Sequence, residues 1–137
     1  MRKVYSYYVL DIIHKGHLLQ MRNSKAIAGV DGISIIGILT DEATMEKKPK
    51  PILSFDERMD IAMSIKYADV VVPQETYSPL PNIKKIKPDV AMESASHSDE
   101  DVKEIREFMD SIGGEVIMTP YYPSQSSTKI KKQIKER

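Results

Sequence analysis

Apolar positions along the chain come in short blocks, and the period inside them alternates between that of a strand and that of a helix. From Val4 the chain is β-branched and aromatic, with no Gly or Pro, and predicts a first strand that ends at Asp11. Leu18–Ala28 is helix-length, with Gly29 and Gly32 as stop and turn signals. Ile33–Leu39 is apolar except for Ser34 and Gly37, the pattern of a strand buried on both faces of a parallel sheet. From Ser54 to Lys66 the helix grammar is explicit: Ser54 and Glu57 spell a capping box, and Phe55, Met59, Ala62 and Met63 share one face read as core. Asp69–Val72 is a short strand ended by Pro73, and a short helix runs through Ile83 and Ile86. Val90–Met92 is a fourth strand. Ser98 can cap a helix whose stripe is Val102, Ile105, Met109 and Ile112, stopped at Gly113-Gly114. Val116–Met118 is a fifth strand, and Ser126-Ser127-Thr128 opens a last helix anchored by Ile130 and Ile134.

Strands and helices alternate throughout. The expectation is an α/β fold, Rossmann-like and doubly wound, with a mainly parallel five-stranded sheet and one domain over residues 1–137. A chain of 137 residues is long enough for one such core.

Charge narrows the function. Twenty basic residues balance twenty acidic ones, so bulk attraction to nucleic acid is not expected and any anion site is local. No cysteine occurs, which rules out a disulfide framework and thiolate metal ligation and fits a reducing cytoplasm. No apolar run approaches the ~20 residues that cross a membrane, and no signal-peptide pattern opens the chain.

Chemistry concentrates where the first strand ends. Asp11, His14, Gly16 and His17 follow one another just before a helix. A helix N-terminus offers unpaired N–H groups and positive potential to a phosphate, and two imidazoles beside it add directed donors. Zinc ligation by His14, His17 and His97 is disfavoured, because the first two are separated by a turn. The loop Met45–Pro51 is basic and stiffened by two prolines, and lies between a strand's carboxyl end and a helix start, where open α/β sheets place ligands.

The order H-x-G-H after an Asp-ending strand resembles the HxGH signature of the nucleotidyltransferase superfamily. Gly37–Ala43 (GILTDEA), Ser54–Thr76 and Ser126–Lys131 (SSTKIK) are similar to segments of the glycerol-3-phosphate cytidylyltransferase-like family, in the same order. Small cytidylyltransferase modules of phosphonate pathways are closest in flavour. The resemblance implies that His14, His17 and Lys47 are catalytic. It implies nucleotide binding by Val9, Leu10, Asp11, Gly16, Lys66, Ser126, Ser127 and Thr128, and acceptor binding by Glu93, Ser94 and His97.

Three segments depart from the family. Tyr8, Val9 and Leu10 stand where it usually has Gly-Thr-Phe. Ser94, Ala95, Ser96 and His97 replace Gly-Asp-Asp-Trp, and Ser124-Gln125 replaces a Gly and an Ile. The expected reaction is transfer of CMP from CTP to a small phosphate- or phosphonate-bearing alcohol or amine, with pyrophosphate released. Mg2+ would accompany the triphosphate without a confident protein ligand, and the protein would be a cytoplasmic homodimer. The alternatives are an adenylyltransferase using ATP, since HxGH does not read the base, and a non-catalytic nucleotide-binding module.

Overall fold

The computed structural model describes residues 1–94, 97–120 and 126–137. Five strands, β1 (Lys3–Tyr8), β2 (Ile33–Leu39), β3 (Val70–Gln74), β4 (Val90–Ser94) and β5 (Glu115–Thr119), form one sheet in the order β3-β2-β1-β4-β5, every pairing parallel. Among the described residues the helices are α1 (Lys15–Ala28), α2 (Asp41–Met45), α3 (Phe55–Met63), α4 (Leu80–Ile86), α5 (Asp99–Ser111) and α6 (Ser127–Glu136). The chain winds β1, β2, β3 outward, then crosses back to lay β4 on the other side of β1. The reversal therefore falls between β1 and β4, the place where such sheets bind ligands beyond their carboxyl ends.

Alternation along the strands divides the core. Val4, Tyr8, Ile36 and Ile38 face α1 and α3, packing with Met21, Ala28 and Ala62, whereas Tyr5 and Ile35 face α4 and α5, packing with Ile83, Ile105 and Met109. Each of the large aliphatic side chains among them contributes about 1.5–3 kcal/mol by leaving water. Gly37 is required for a local reason: a Cβ there would lie 2.0 Å from Tyr5 Oη, which is itself fixed by a 2.6 Å hydrogen bond to Gln74 Oε1.

The helix starts follow the caps read from sequence. Ser54 accepts from Glu57 N and Glu57 answers with Ser54 N, and Ser98 accepts from Asp101 N. Several details differ from expectation. Helix α1 begins at Lys15 rather than Leu18, and a one-turn helix, α2, capped by Thr40, fills the stretch after β2. Strand β3 continues through Pro73, which pairs with Ile38. An edge strand tolerates proline because only one of its sides needs ladder donors. Met63 is 57% exposed, so it is not core: α3 ends there and its last residue turns outward. Ile112, 37% exposed, is likewise not buried with the rest of its stripe, because it is the cap residue after α5. Ile134 does not anchor α6, being 64% exposed, and α6 has no buried residue at all. Polar contacts at its N-terminal end attach it instead.

Candidate active site

The segment between β1 and α1 is a capping box built from imidazoles. His14 is the N-cap; its Nδ1 accepts from Gly16 N at 3.0 Å, while His17 Nδ1 accepts from His14 N at 3.2 Å. A neutral imidazole has one donor and one acceptor nitrogen. With both Nδ1 atoms accepting, each neutral ring carries its proton on Nε2, so the pair presents N–H donors. The rings lie 4.0 Å apart between centroids, and Tyr8 meets His17 edge-on. Burial lowers His17 to about 4, assisted by the charges of His14 and Lys48, and burial lowers His14 as well. At neutral pH the two imidazoles at this helix N-terminus are therefore uncharged, with both Nδ1 atoms committed to backbone N–H groups.

Asp11 joins three pieces of chain around this turn. Its carboxylate is 3% exposed, accepts from Ile52 N at 3.0 Å and Leu53 N at 2.8 Å, and pairs with Lys131 of α6. Burial raises its pKa, but the Leu53 and Ile52 N–H groups and Lys131 outweigh that and hold it below the ordinary carboxylate value. Ser127 Oγ donates to Ile12 O at 2.7 Å, which brings the start of α6 against the turn that starts α1. Leu10, just before, has φ +59°, a left-handed conformation disfavoured for a non-glycine residue and localised at this turn.

Arg58 locks the same region from beneath. It is fully buried and donates to Val9 O and Leu39 O, each at 2.7 Å, to Leu53 O at 3.2 Å and to Asp41 Oδ1 at 2.7 Å. One guanidinium thus ties the carboxyl ends of β1 and β2 to the start of α3. Its planar fork suits this set of acceptors where a lysine would not.

On the other side of β1, Tyr7 Oη donates to Glu93 Oε2 at 2.8 Å and lies 3.4 Å from His97 Nε2. The His97 ring is edge-on to Tyr7 and tilted against Tyr77. Burial, more than the nearby Asp101 charge, raises Glu93 to about 7 despite the Tyr7 hydrogen bond. Lys47 sits over the Tyr77 ring and 3.4 Å from Asp101 Oδ2. Lys48, the next residue, acts through its charge on both His17 and His97.

The sequence-predicted residues are thus partly assembled. His14, Gly16 and His17 form the turn, Asp11 supports it, and Val9 and Leu10 supply backbone to it. Ser126 caps α6 by accepting from Lys129 N, Ser127 docks the helix, and Thr128 is exposed beside them. Glu93 and His97 come together with Tyr7, and Ser94 ends β4. Lys66 lines a surface cavity of about 370 Å³ together with Lys15, Leu18, Leu19 and Arg22 of α1. Of the family departures, Tyr8 is buried against Met21 and Ile36 and so fills core volume; Ala95, Ser96, Ser124 and Gln125 lie outside the described residues. Arg58, Lys48, Lys131 and Tyr7 were not anticipated. Among the described residues, no three His, Cys, Asp or Glu side chains are grouped to hold a metal, and the Asp11 carboxylate is already occupied by its three partners.

Comparison with known proteins agrees with this geometry. The family model described as cytidylyltransferase-like matches residues 9–133. An FAD synthase from Korarchaeum cryptofilum is 30% identical over 135 residues, which is 97% of this chain and 91% of that protein. The bifunctional protein HldE of Alcanivorax borkumensis is 30% identical over 143 residues and 99% of this chain, but the chain spans only 28% of its length. The glycerol-3-phosphate cytidylyltransferase of Bacillus subtilis is 30% identical over 77 residues, 56% of this chain and 57% of that enzyme. With its histidine-capped turn at the carboxyl edge of the sheet, this chain belongs to the cytidylyltransferase-like family of the HxGH nucleotidyltransferases.

Proposed function

We propose that the protein transfers CMP from CTP to a small phosphate- or phosphonate-bearing acceptor and releases pyrophosphate. The observation that carries this reading is the turn at His14–His17: two imidazoles cap one helix N-terminus at the carboxyl edge of the sheet, and the start of α6 joins it through Ser127 and Ile12.

Such a site suits in-line displacement at an α-phosphorus. The acceptor oxygen is already ionised near neutral pH, so no strong base is needed, and alignment with charge stabilisation does the work. His14 and His17, as neutral imidazoles, donate to oxygens on which negative charge grows. Lys47 and Lys48, on the segment after α2, add positive potential. Asp11 and Arg58 are positioning residues: the first holds Ile52, Leu53 and α6 in place, the second the ends of β1 and β2. Magnesium enters as the counter-ion of the triphosphate, held mainly by phosphate oxygens and water. A homodimer, as small family members form, is part of the proposal.

An adenylyl transfer from ATP is the second reading. It is favoured by the FAD synthase likeness, which extends over 91% of that relative and whose product carries an adenine nucleotide. Comparing the thermal stabilisation given by Mg-CTP and Mg-ATP separates the two. A larger shift with CTP supports cytidylyl transfer, and the reverse supports adenylyl transfer.

A further inference from the structure

The Tyr7–Glu93–His97 cluster is not accounted for by packing. Glu93 is fully buried on β4, its Oε2 takes the Tyr7 hydroxyl, and its Oε1 is buried without a hydrogen-bond partner. A buried carboxyl oxygen left unpaired is costly, and more so if ionised. An apolar side chain at this position would avoid that cost.

Place makes the orphaned oxygen informative. Strands β1 and β4 pair at Val4↔Val90 and Tyr5↔Ala91, and Tyr7 and Glu93 lie two residues further on, flanking the topological switch point. Tyr7 Oη, which holds the carboxyl, also lies 3.4 Å from His97 Nε2, and the His97 ring is edge-on to Tyr7 and tilted against Tyr77. Lys47 lies over the Tyr77 ring, which packs against His97, and the charges of Lys48 and Lys47 act on the His97 imidazole. The contacts thus run from Lys47 through Tyr77, His97 and Tyr7 to Glu93, and a small molecule bound along them would have its anionic end toward the lysine and its other end toward the carboxyl.

We infer that Glu93 selects the acceptor, its Oε1 receiving a hydrogen bond from an O–H or N–H group at the end of the molecule remote from the phosphate or phosphonate. The inference rests on the proposed transfer reading for what the anionic end does. The carboxyl itself requires only that the ligand carry a donor. A hydroxyl and an ammonium both qualify, and a methyl group does not. Tyr7 is a positioning residue here, since its hydroxyl occupies Oε2 and turns Oε1 toward the ligand.

The test is calorimetric titration of the full chain, loaded with magnesium and a non-hydrolysable CTP analogue, with ethylphosphonate, 2-hydroxyethylphosphonate and 2-aminoethylphosphonate. At least one donor-bearing ligand should bind ~10-fold or more tightly than ethylphosphonate, as expected for a hydrogen bond to a charged or buried acceptor. Glu93→Gln, nearly identical in shape, should reduce that preference to within about three-fold while the CTP analogue still binds. Preference for the hydroxyl compound identifies an alcohol as the acceptor's tail, and preference for the amine identifies an ammonium. Equal binding of all three ligands, no binding of any, or a preference that survives Glu93→Gln would overturn the inference. Should the CTP analogue fail to bind, the cytidylyl reading is what fails; the same three ligands titrated with the ATP analogue, and without nucleotide, then decide the role of Glu93 separately.

Discussion

Replacing Asp11 by Asn tests whether one buried carboxylate holds the site together. The substitution keeps size and shape but removes the charge and turns one acceptor oxygen into a donor. Wild-type Asp11 accepts from Ile52 N and Leu53 N and pairs with Lys131 at 3% exposure. Asn can satisfy one of the two N–H groups; the other faces an NH2 group, a loss of about 1.5–3 kcal/mol for a hydrogen bond to a charged group. Breaking a buried ion pair costs about 3–5 kcal/mol when the remaining charge is trapped. Lys131 is about one-third exposed and can turn to water, so that second contribution lies well below the range. The sum is about 3 kcal/mol, or roughly 10 °C in Tm for a domain of this size. Urea denaturation read by circular dichroism measures it, and a double-mutant cycle with Lys131→Met isolates the pair, for which coupling of about 1 kcal/mol is expected. Because the Asp11 pKa is depressed in the folded state, its contribution is present above the ordinary carboxylate value and is lost as pH falls through the folded one. The Asp11→Asn variant should accordingly lose less stability on acidification than wild type. A destabilisation under about 0.5 kcal/mol, the range of ordinary surface substitutions, would refute the reasoning.

Two further outcomes follow from the same geometry. His17 falls to about 4 in the folded protein against about 6.5 unfolded, so the unfolded chain binds the extra proton between those values and stability drops as pH falls through them. Between pH 7 and pH 5 this contribution is about 1–2 kcal/mol after allowing for partial solvation, and urea midpoints should show His17→Asn losing less over that interval. At Gly37, alanine places a Cβ 2.0 Å from Tyr5 Oη, so Gly37→Ala should cost about 2–3 kcal/mol by overpacking. Tyr5→Phe should be less harmful in the Gly37→Ala background than alone; equal cost in both backgrounds would dismiss the clash.

Much of the architecture is legible in the sequence because its local signals agree with one another. The nearly continuous apolar stretch Ile33–Leu39 is a central strand, Ser54 and Glu57 do cap α3, and the Asp11-to-His17 spacing does place two imidazoles at a helix start. Tertiary context decided what was missed. Met63, Ile112 and Ile134 fit the period of their helices, but the first two fall at helix ends and the third on a helix held by polar contacts, so periodicity overstated their burial. Arg58 reads as a surface residue, and only the meeting of Val9, Leu39 and Leu53 carbonyls makes its burial intelligible. The burial of Glu93 depends on Tyr7, 86 positions away, which no local pattern connects to it. Capping by histidine was hidden for a different reason: Ser, Thr, Asp and Asn are the residues that usually announce an N-cap. The two Nδ1 acceptors become visible only with the backbone in place.

The central claim is that the turn at His14–His17 transfers a cytidylyl group. Its most direct measurement is pyrophosphate release from Mg-CTP, with Mg-ATP in parallel, against glycerol 3-phosphate, phosphocholine, phosphoethanolamine, 2-aminoethylphosphonate and 2-hydroxyethylphosphonate, using wild type, His14→Ala and His17→Ala. Turnover with CTP and at least one acceptor, reduced ~10²-fold or more in each variant while the fold is retained, is the predicted result. Folded wild-type protein that releases no pyrophosphate from CTP with any acceptor, or histidine variants that turn over at the wild-type rate, would contradict it.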